Sequence, residues 1–167
     1  SDQKVKLLAV TKNHNLSVIQ AATKLGVKRF GENRVQEAET KKPHLSKEIE
    51  LHLIGHLQSN KIKKALKIFN VIQTIDSIKL AQKTNQHAKA INKKQRIYCQ
   101  INIGEDNKKT GFNVETFKNN IDEIIKLSNL HLEGIMTILP QNQTNEEIKK
   151  LYNKTRTIRD TINKKYN

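Results

Sequence analysis

Short apolar runs alternate with helix-spaced segments along the whole chain, and this alternation constrains the fold more than any other feature. Residues 5–10 read as a strand buried on both faces. Asn15 then stands where a helix cap belongs. Val18, Ala21, Ala22 and Leu25 follow at i, i+3, i+4 and i+7, and Gly26 occupies the position after a helix that favours glycine. Residues 27–30, 50–54, 71–75, 97–103 and 132–138 repeat the strand pattern. Leu57, Lys61, Ile62, Ala65 and Leu66 predict a helix after the third strand, and Asp76 or Ser77 caps another after the fourth. Asn113 precedes a helix with Phe117, Ile121, Ile124 and Ile125 on one face. Thr144 and Glu147 form a capping box before a last helix carrying Ile148, Leu151, Thr155, Ile158 and Ile162. Six such units in series predict an α/β fold with a parallel sheet, either open and doubly wound or rolled into a barrel. Residues 40–47, with Pro43, read as a polar loop. No Pro/Gly/Ser-rich linker divides the chain, so residues 1–167 are expected to form a single domain.

Aromatic residues make up only 4% of the chain, so the core must be built from Ile, Leu, Val and Ala. No stretch approaches the ~18 apolar residues of a membrane span. The N-terminus lacks a charged-then-apolar export pattern, and Cys99 is the only cysteine, so a reducing, cytoplasmic setting is expected. The net charge of +15 raises the question of a polyanionic partner. The surplus is mostly Lys, spread along the chain among many Asn and Ile, as coding bias would place it on solvated faces. A nucleic-acid binder would show Arg clusters and stacking aromatics; their scarcity argues against a nucleic-acid-binding module.

Ligands of parallel α/β proteins bind at the C-terminal ends of the strands. Thr11-Lys12-Asn13, Gly31-Glu32-Asn33, Gly55 to Lys61, Thr74-Ile75-Asp76, Asn102 to Asp106 and Met136-Thr137 are expected on that rim. Lys12 stands out, because it ends a mostly apolar strand. A lysine there is expected to be partly desolvated, which lowers its pKa and makes its amine a nucleophile toward aldehydes. The bland alternative is a lysine that reaches water or pairs with a carboxylate. His52 and His56 are four apart but straddle a strand end, and no third metal ligand accompanies them. Cys99 reads as a core residue, and residues 107–111 as a turn with Lys108 and Lys109 at its tip.

Six segments, in order, resemble the pyridoxal phosphate homeostasis proteins, also called PROSC-like proteins. They are Leu8-Ala9-Val10-Thr11-Lys12; Phe30-Gly31-Glu32-Asn33-Arg34-Val35-Gln36-Glu37; His52 to Lys61; Thr74-Ile75-Asp76; Gln100-Ile101-Asn102-Ile103 with Lys109-Thr110-Gly111; and Gly134-Ile135-Met136-Thr137-Ile138. The resemblance implies a TIM-type barrel like the N-terminal domain of alanine racemase. Lys12 would carry pyridoxal 5′-phosphate (PLP) as a Schiff base, with Asn33 and Met136 near the cofactor. It implies a role in balancing PLP and amino-acid pools without robust catalysis, rather than a racemase-type enzyme, and a monomer or weak homo-oligomer. A (β/α)₈ barrel takes about 250 residues, and six βα units are visible, so the fold is expected to be C-terminally incomplete relative to a (β/α)₈ barrel. The Ser/Met/Gly-rich and Arg-Gly-rich segments that hold the cofactor phosphate in this family do not occur in the sequence.

Overall fold

Six parallel strands lie side by side in the order β1-β2-β3-β4-β5-β6. They are β1 (Ala9–Val10), β2 (Arg29–Glu32), β3 (Glu50–Leu53), β4 (Val71–Ile75), β5 (Gln95–Gln100) and β6 (Leu130–Met136). Six helices alternate with them: α1 (Leu16–Lys24), α2 (Val35–Lys41), α3 (Ile62–Ile68), α4 (Ile78–Ala90), α5 (Val114–Ile125) and α6 (Asn145–Tyr166). This computed structural model describes residues 5–106 and 109–166. The strand order decides between the two expected architectures. A doubly wound sheet reverses direction at a switch point. Here each strand adds on the same side, and right-handed crossovers then place every helix on one face, as in the wall of a (β/α) barrel. Among the described residues β1 pairs only with β2 and β6 only with β5, so both are edges.

The helix ends follow local chemistry. Gly26 has φ +88° just past α1, a conformation that costs glycine little. The Ser77 hydroxyl accepts the Leu80 N–H and the Asn113 side chain accepts the Glu115 N–H. Thr144 and Glu147 exchange hydrogen bonds, Glu147 Oε2 accepting from Thr144 N–H (2.7 Å) and Thr144 Oγ1 from Glu147 N–H (3.3 Å), as a capping box requires.

The two faces of the sheet differ in kind. Phe30, Leu51, Leu53, Ile72, Ile97 and Cys99 pack with helix residues such as Ile19, Ala38, Leu66, Ala81 and Phe117 in one core. On the opposite, helix-free face, Glu50 joins Arg29 (3.6 Å), Arg96 (3.0 Å) and His52 (2.9 Å). Arg96 also reaches Glu133 at 2.6 Å, and Gln73 reaches His52 at 2.7 Å. Registers Arg29↔Glu50 and His52↔Val71↔Arg96↔His131 keep this network on one side of the pleat.

Three expectations need correction. The first strand is shorter than residues 5–10 and is not buried on both faces: Val5, Leu7 and Val10 are exposed, because β1 has one neighbouring strand among the described residues. The loop expected over residues 40–47 begins inside α2 and continues as a 3₁₀ turn, Lys42–His44. Two further strands are displaced by two residues, β2 to Arg29–Glu32 and β6 to Leu130–Met136, and β5 ends at Gln100, after which Ile101 bridges to Phe112. The turn expected over residues 107–111 lies partly outside the described residues. Among those described, no helix is long and apolar enough to cross a membrane.

Candidate cofactor site

The Val10↔Gly31 pairing fixes the relation between the first two strand ends. Thr11 N–H donates to Gly31 O at 3.0 Å, continuing the ladder. Lys12 and Asn33 are each two residues beyond a matched pair, so they stand side by side on the rim. Alternation along β1 turns Thr11 toward α2 and gives Lys12 to the helix-free face, with Val10 and Gly31. Lys12 is exposed rather than desolvated, because it follows an edge strand, and it has no hydrogen bond or ion pair among the described residues. Asn33 and Met136 are half-buried. Asn33 packs so closely on Gly55 that a Cβ there would lie 2.1 Å from its carbonyl oxygen. Met136 ends β6, the other edge of the sheet, and is therefore on the same rim but five strands from β1.

Behind Lys12 lies a polar cluster that sequence reading missed. Glu32 is fully buried and Lys41 nearly so. Lys41 Nζ donates to Glu32 Oε1 (2.8 Å), Glu37 Oε1 (2.7 Å) and Thr11 O (3.0 Å). Thr11 Oγ1 donates to Glu32 Oε1 at 2.7 Å, and Asn13 N–H to Glu37 Oε1 at 2.8 Å. Burial works against the charge on Lys41, but hydrogen bonds and attraction from Glu32 and Glu37 outweigh it and hold its pKa above the usual range. Burial likewise opposes ionisation of Glu37, and its bonds to Lys41 and the Asn13 amide override it, lowering its pKa. Glu32 Oε2 has no hydrogen-bond partner. The signal available in sequence was the i, i+4 spacing of Glu37 and Lys41.

Elsewhere on the rim, His56 Nδ1 pairs with Asp76 Oδ2 at 3.1 Å, and Thr74 Oγ1 donates to Gly55 O at 2.8 Å. Thr137 Oγ1 donates to Ile101 O at 2.8 Å. His52 does not join His56; it is buried against Glu50 and Gln73, and burial lowers its pKa. Among the described residues no three His, Cys, Asp or Glu side chains gather as metal ligands. Cys99 is buried in β5, which pushes its thiol pKa up to about 12. None of the three tyrosines stands at a strand end: Tyr98 lies within β5, Tyr152 is exposed on α6, and Tyr166 donates to Asp122.

A parallel sheet wound in one direction, with all its helices on one face and a free amine at the rim, defines the class: a barrel-type βα protein of the kind that opens alanine racemases. The family model for the alanine racemase N-terminal domain matches residues 1–167. The chain belongs to that family and, within it, to the pyridoxal phosphate homeostasis proteins. The relative from Aquifex aeolicus is 33% identical over 164 residues, covering 97% of this chain and 72% of its own length. The relative from Synechocystis sp. is 38% identical over 138 residues, and the match spans 81% of this chain but only 63% of that protein. Among solved structures, PipY of Synechococcus elongatus with PLP bound superposes with a TM-score of 0.90 at 30% identity, over 98% of this chain and 78% of that one. Alanine racemase of Clostridium difficile gives a TM-score of 0.84 at 20% identity, over 98% of this chain and 46% of that one, a likeness of fold.

Proposed function

We propose that residues 1–167 act as one cofactor-binding unit that holds PLP on Lys12, beside Asn33 and Met136, and serves in intracellular, cytoplasmic homeostasis of PLP and amino acids without robust turnover. The observation that carries this reading is the unpaired Lys12 amine on the strand-end rim, in a chain that superposes on PLP-bound PipY. The donor set fits the group: an accessible amine, with no competing carboxylate on it, is what an aldehyde needs. Bound there, PLP supplies the aldehyde that condenses with the lysine amine, and a ring that withdraws electrons from the attached carbon. The chain's own residues hold and aim. Asn33 stands next to Lys12 with its backbone wedged on Gly55, and the Thr11 and Asn13 backbone on either side of Lys12 is hydrogen-bonded to α2.

The placement of the tyrosines supports a carrier over a racemase. A racemase needs a second acid/base group facing the lysine, and all three tyrosines are away from the strand ends. The working form is proposed to be a monomer or weak homo-oligomer.

Titration with PLP, borohydride reduction and intact-mass measurement test the reading. With 26 Lys on the chain, scattered surface adducts are expected at high PLP. The reading therefore requires one saturable adduct that peptide mapping assigns to Lys12 and that Lys12→Ala abolishes. A folded sample with equal labelling of many lysines, unchanged in Lys12→Ala, refutes it.

A further inference from the structure

The backbone on both sides of Lys12 is tied to a single helix. The Thr11 carbonyl accepts from Lys41 Nζ at 3.0 Å and from the His14 N–H at 3.1 Å. The Asn13 amide donates to Glu37 Oε1 at 2.8 Å, and the same oxygen accepts from Lys41 at 2.7 Å. Asn13 has φ +62°, a left-handed conformation that costs a non-glycine residue energy, though asparagine less than most. A strained residue directly after Lys12 persists only where its surroundings hold it. Lys41 spends its three donors on the carbonyl before Lys12, on the carboxylate that holds the amide after it, and on buried Glu32. Glu32 also fixes the Thr11 hydroxyl. Nothing in this arrangement touches the Lys12 amine. It fixes the peptide from which that amine projects.

We propose that Lys41 and Glu37 are positioning residues for Lys12, a clamp from α2 that holds the Thr11–Asn13 turn in the one conformation that aims the amine across the helix-free face. The inference rests on the proposed attachment of PLP at Lys12. The physical consequence is a matter of population. If the turn relaxes, only a fraction of molecules present the amine correctly, and apparent affinity falls in proportion to that fraction.

The informative substitution is Glu37→Ala. It removes the acceptor of the Asn13 amide while leaving the buried Glu32–Lys41 pair in place. Lys41→Met would strip buried Glu32 of its counter-charge and would test the fold more than the aim. Losing the charge-assisted bonds that Glu37 accepts from the Asn13 amide and Lys41 is expected to raise the PLP concentration for half-saturation of the Lys12 adduct about tenfold. In cofactor-free protein, the Asn13 amide should lose its hydrogen-exchange protection while β3 and β4 amides keep theirs. Glu37→Gln, which retains an oxygen acceptor, should restore most of both properties. A purely structural role would lower the unfolding midpoint and leave half-saturation per folded molecule unchanged. That result, with a normal wild-type adduct, overturns the inference alone. A wild-type chain with no Lys12 adduct overturns the cofactor reading and the inference with it.

Discussion

Gly55 offers the sharpest test of how the rim is built. A Cβ at this position would lie 2.1 Å from the Asn33 carbonyl oxygen and 2.8 Å from both the carbonyl carbon and Cα of Asn33. All three are backbone atoms, so no side-chain rotation relieves the clash. Ordinary contact requires well over 3 Å, so Gly55→Ala must push the β2–α2 connection away by about 1 Å. Overpacking of this kind costs about 1–3 kcal/mol. The same movement strains the bond from Ile54 N–H to Glu32 O, 3.0 Å long, whose loss adds about 1 kcal/mol. The expected destabilisation is therefore about 2–4 kcal/mol, which for a chain of this size lowers the thermal midpoint by roughly 4–16 °C. Gly134→Ala is the control, because a Cβ there has nothing within 4 Å. Urea unfolding of both variants measures the difference. The same displacement moves Asn33 relative to Lys12, so the PLP adduct should weaken in folded Gly55→Ala protein. A Gly55→Ala chain within about 0.5 kcal/mol of wild type, the range of an unremarkable surface change, would refute the steric reasoning.

Two further expectations follow from the buried groups. His52 has its pKa lowered by burial, so below its ordinary value of 6.5 the unfolded chain takes up a proton that the folded chain does not. Stability is therefore complete above that pH and declines as pH falls toward the folded-state pKa; Glu50, held low by Arg96 and His52 against the effect of burial, extends the loss below its ordinary 4.5. Urea midpoints between pH 8 and 5 should fall for the wild type and fall less for His52→Gln, and equal slopes would refute the assignment. Cys99, with its thiol pKa pushed up to about 12 by burial, should resist a thiol reagent at pH 8 in the native protein and react fully in denaturant; rapid native labelling would contradict its placement in β5.

Much of the frame was legible in the chain itself, for identifiable reasons. The fourth strand runs over Val71–Ile75 as expected, and all five of its residues are buried, because it has neighbours on both sides. Ser77, Asn113 and the Thr144/Glu147 pair cap their helices where short polar side chains precede apolar spacing. Pairing order was not legible, since both barrels and doubly wound sheets are written as the same strand–helix alternation. The second helix was hidden because it is short and polar, with Val35 and Ala38 its only buried apolar residues. Burial of Lys41 could not be read because its partners Thr11 and Glu32 lie 30 and 9 residues away, and a lysine in a polar stretch reads as solvated. The place of Lys12 at the end of β1 was legible from the pattern, but its exposure was not, because exposure depends on β1 having a single neighbour among the described residues.

The division of the sheet into an apolar and an ion-paired face bears on how such a site holds its shape. A (β/α)₈ barrel typically fills its interior with layers of branched apolar side chains. Here the helix-free face carries Arg29, Glu50, His52, Gln73, Arg96 and Glu133, linked by hydrogen bonds and ion pairs across five strands. His52 and Gln73 are buried within this network, while Arg96 and Glu133 keep part of their surface exposed. The cohesion of the described residues comes from the other side, where Phe30, Leu51, Leu53, Ile72 and Ile97 meet the helices. The hydrogen bonds that hold the Lys12 turn are built on that cohesive side, through Thr11, Glu32 and α2, while the exposed Lys12 belongs to the other face. Geometry at the rim is thus set by packing behind the sheet.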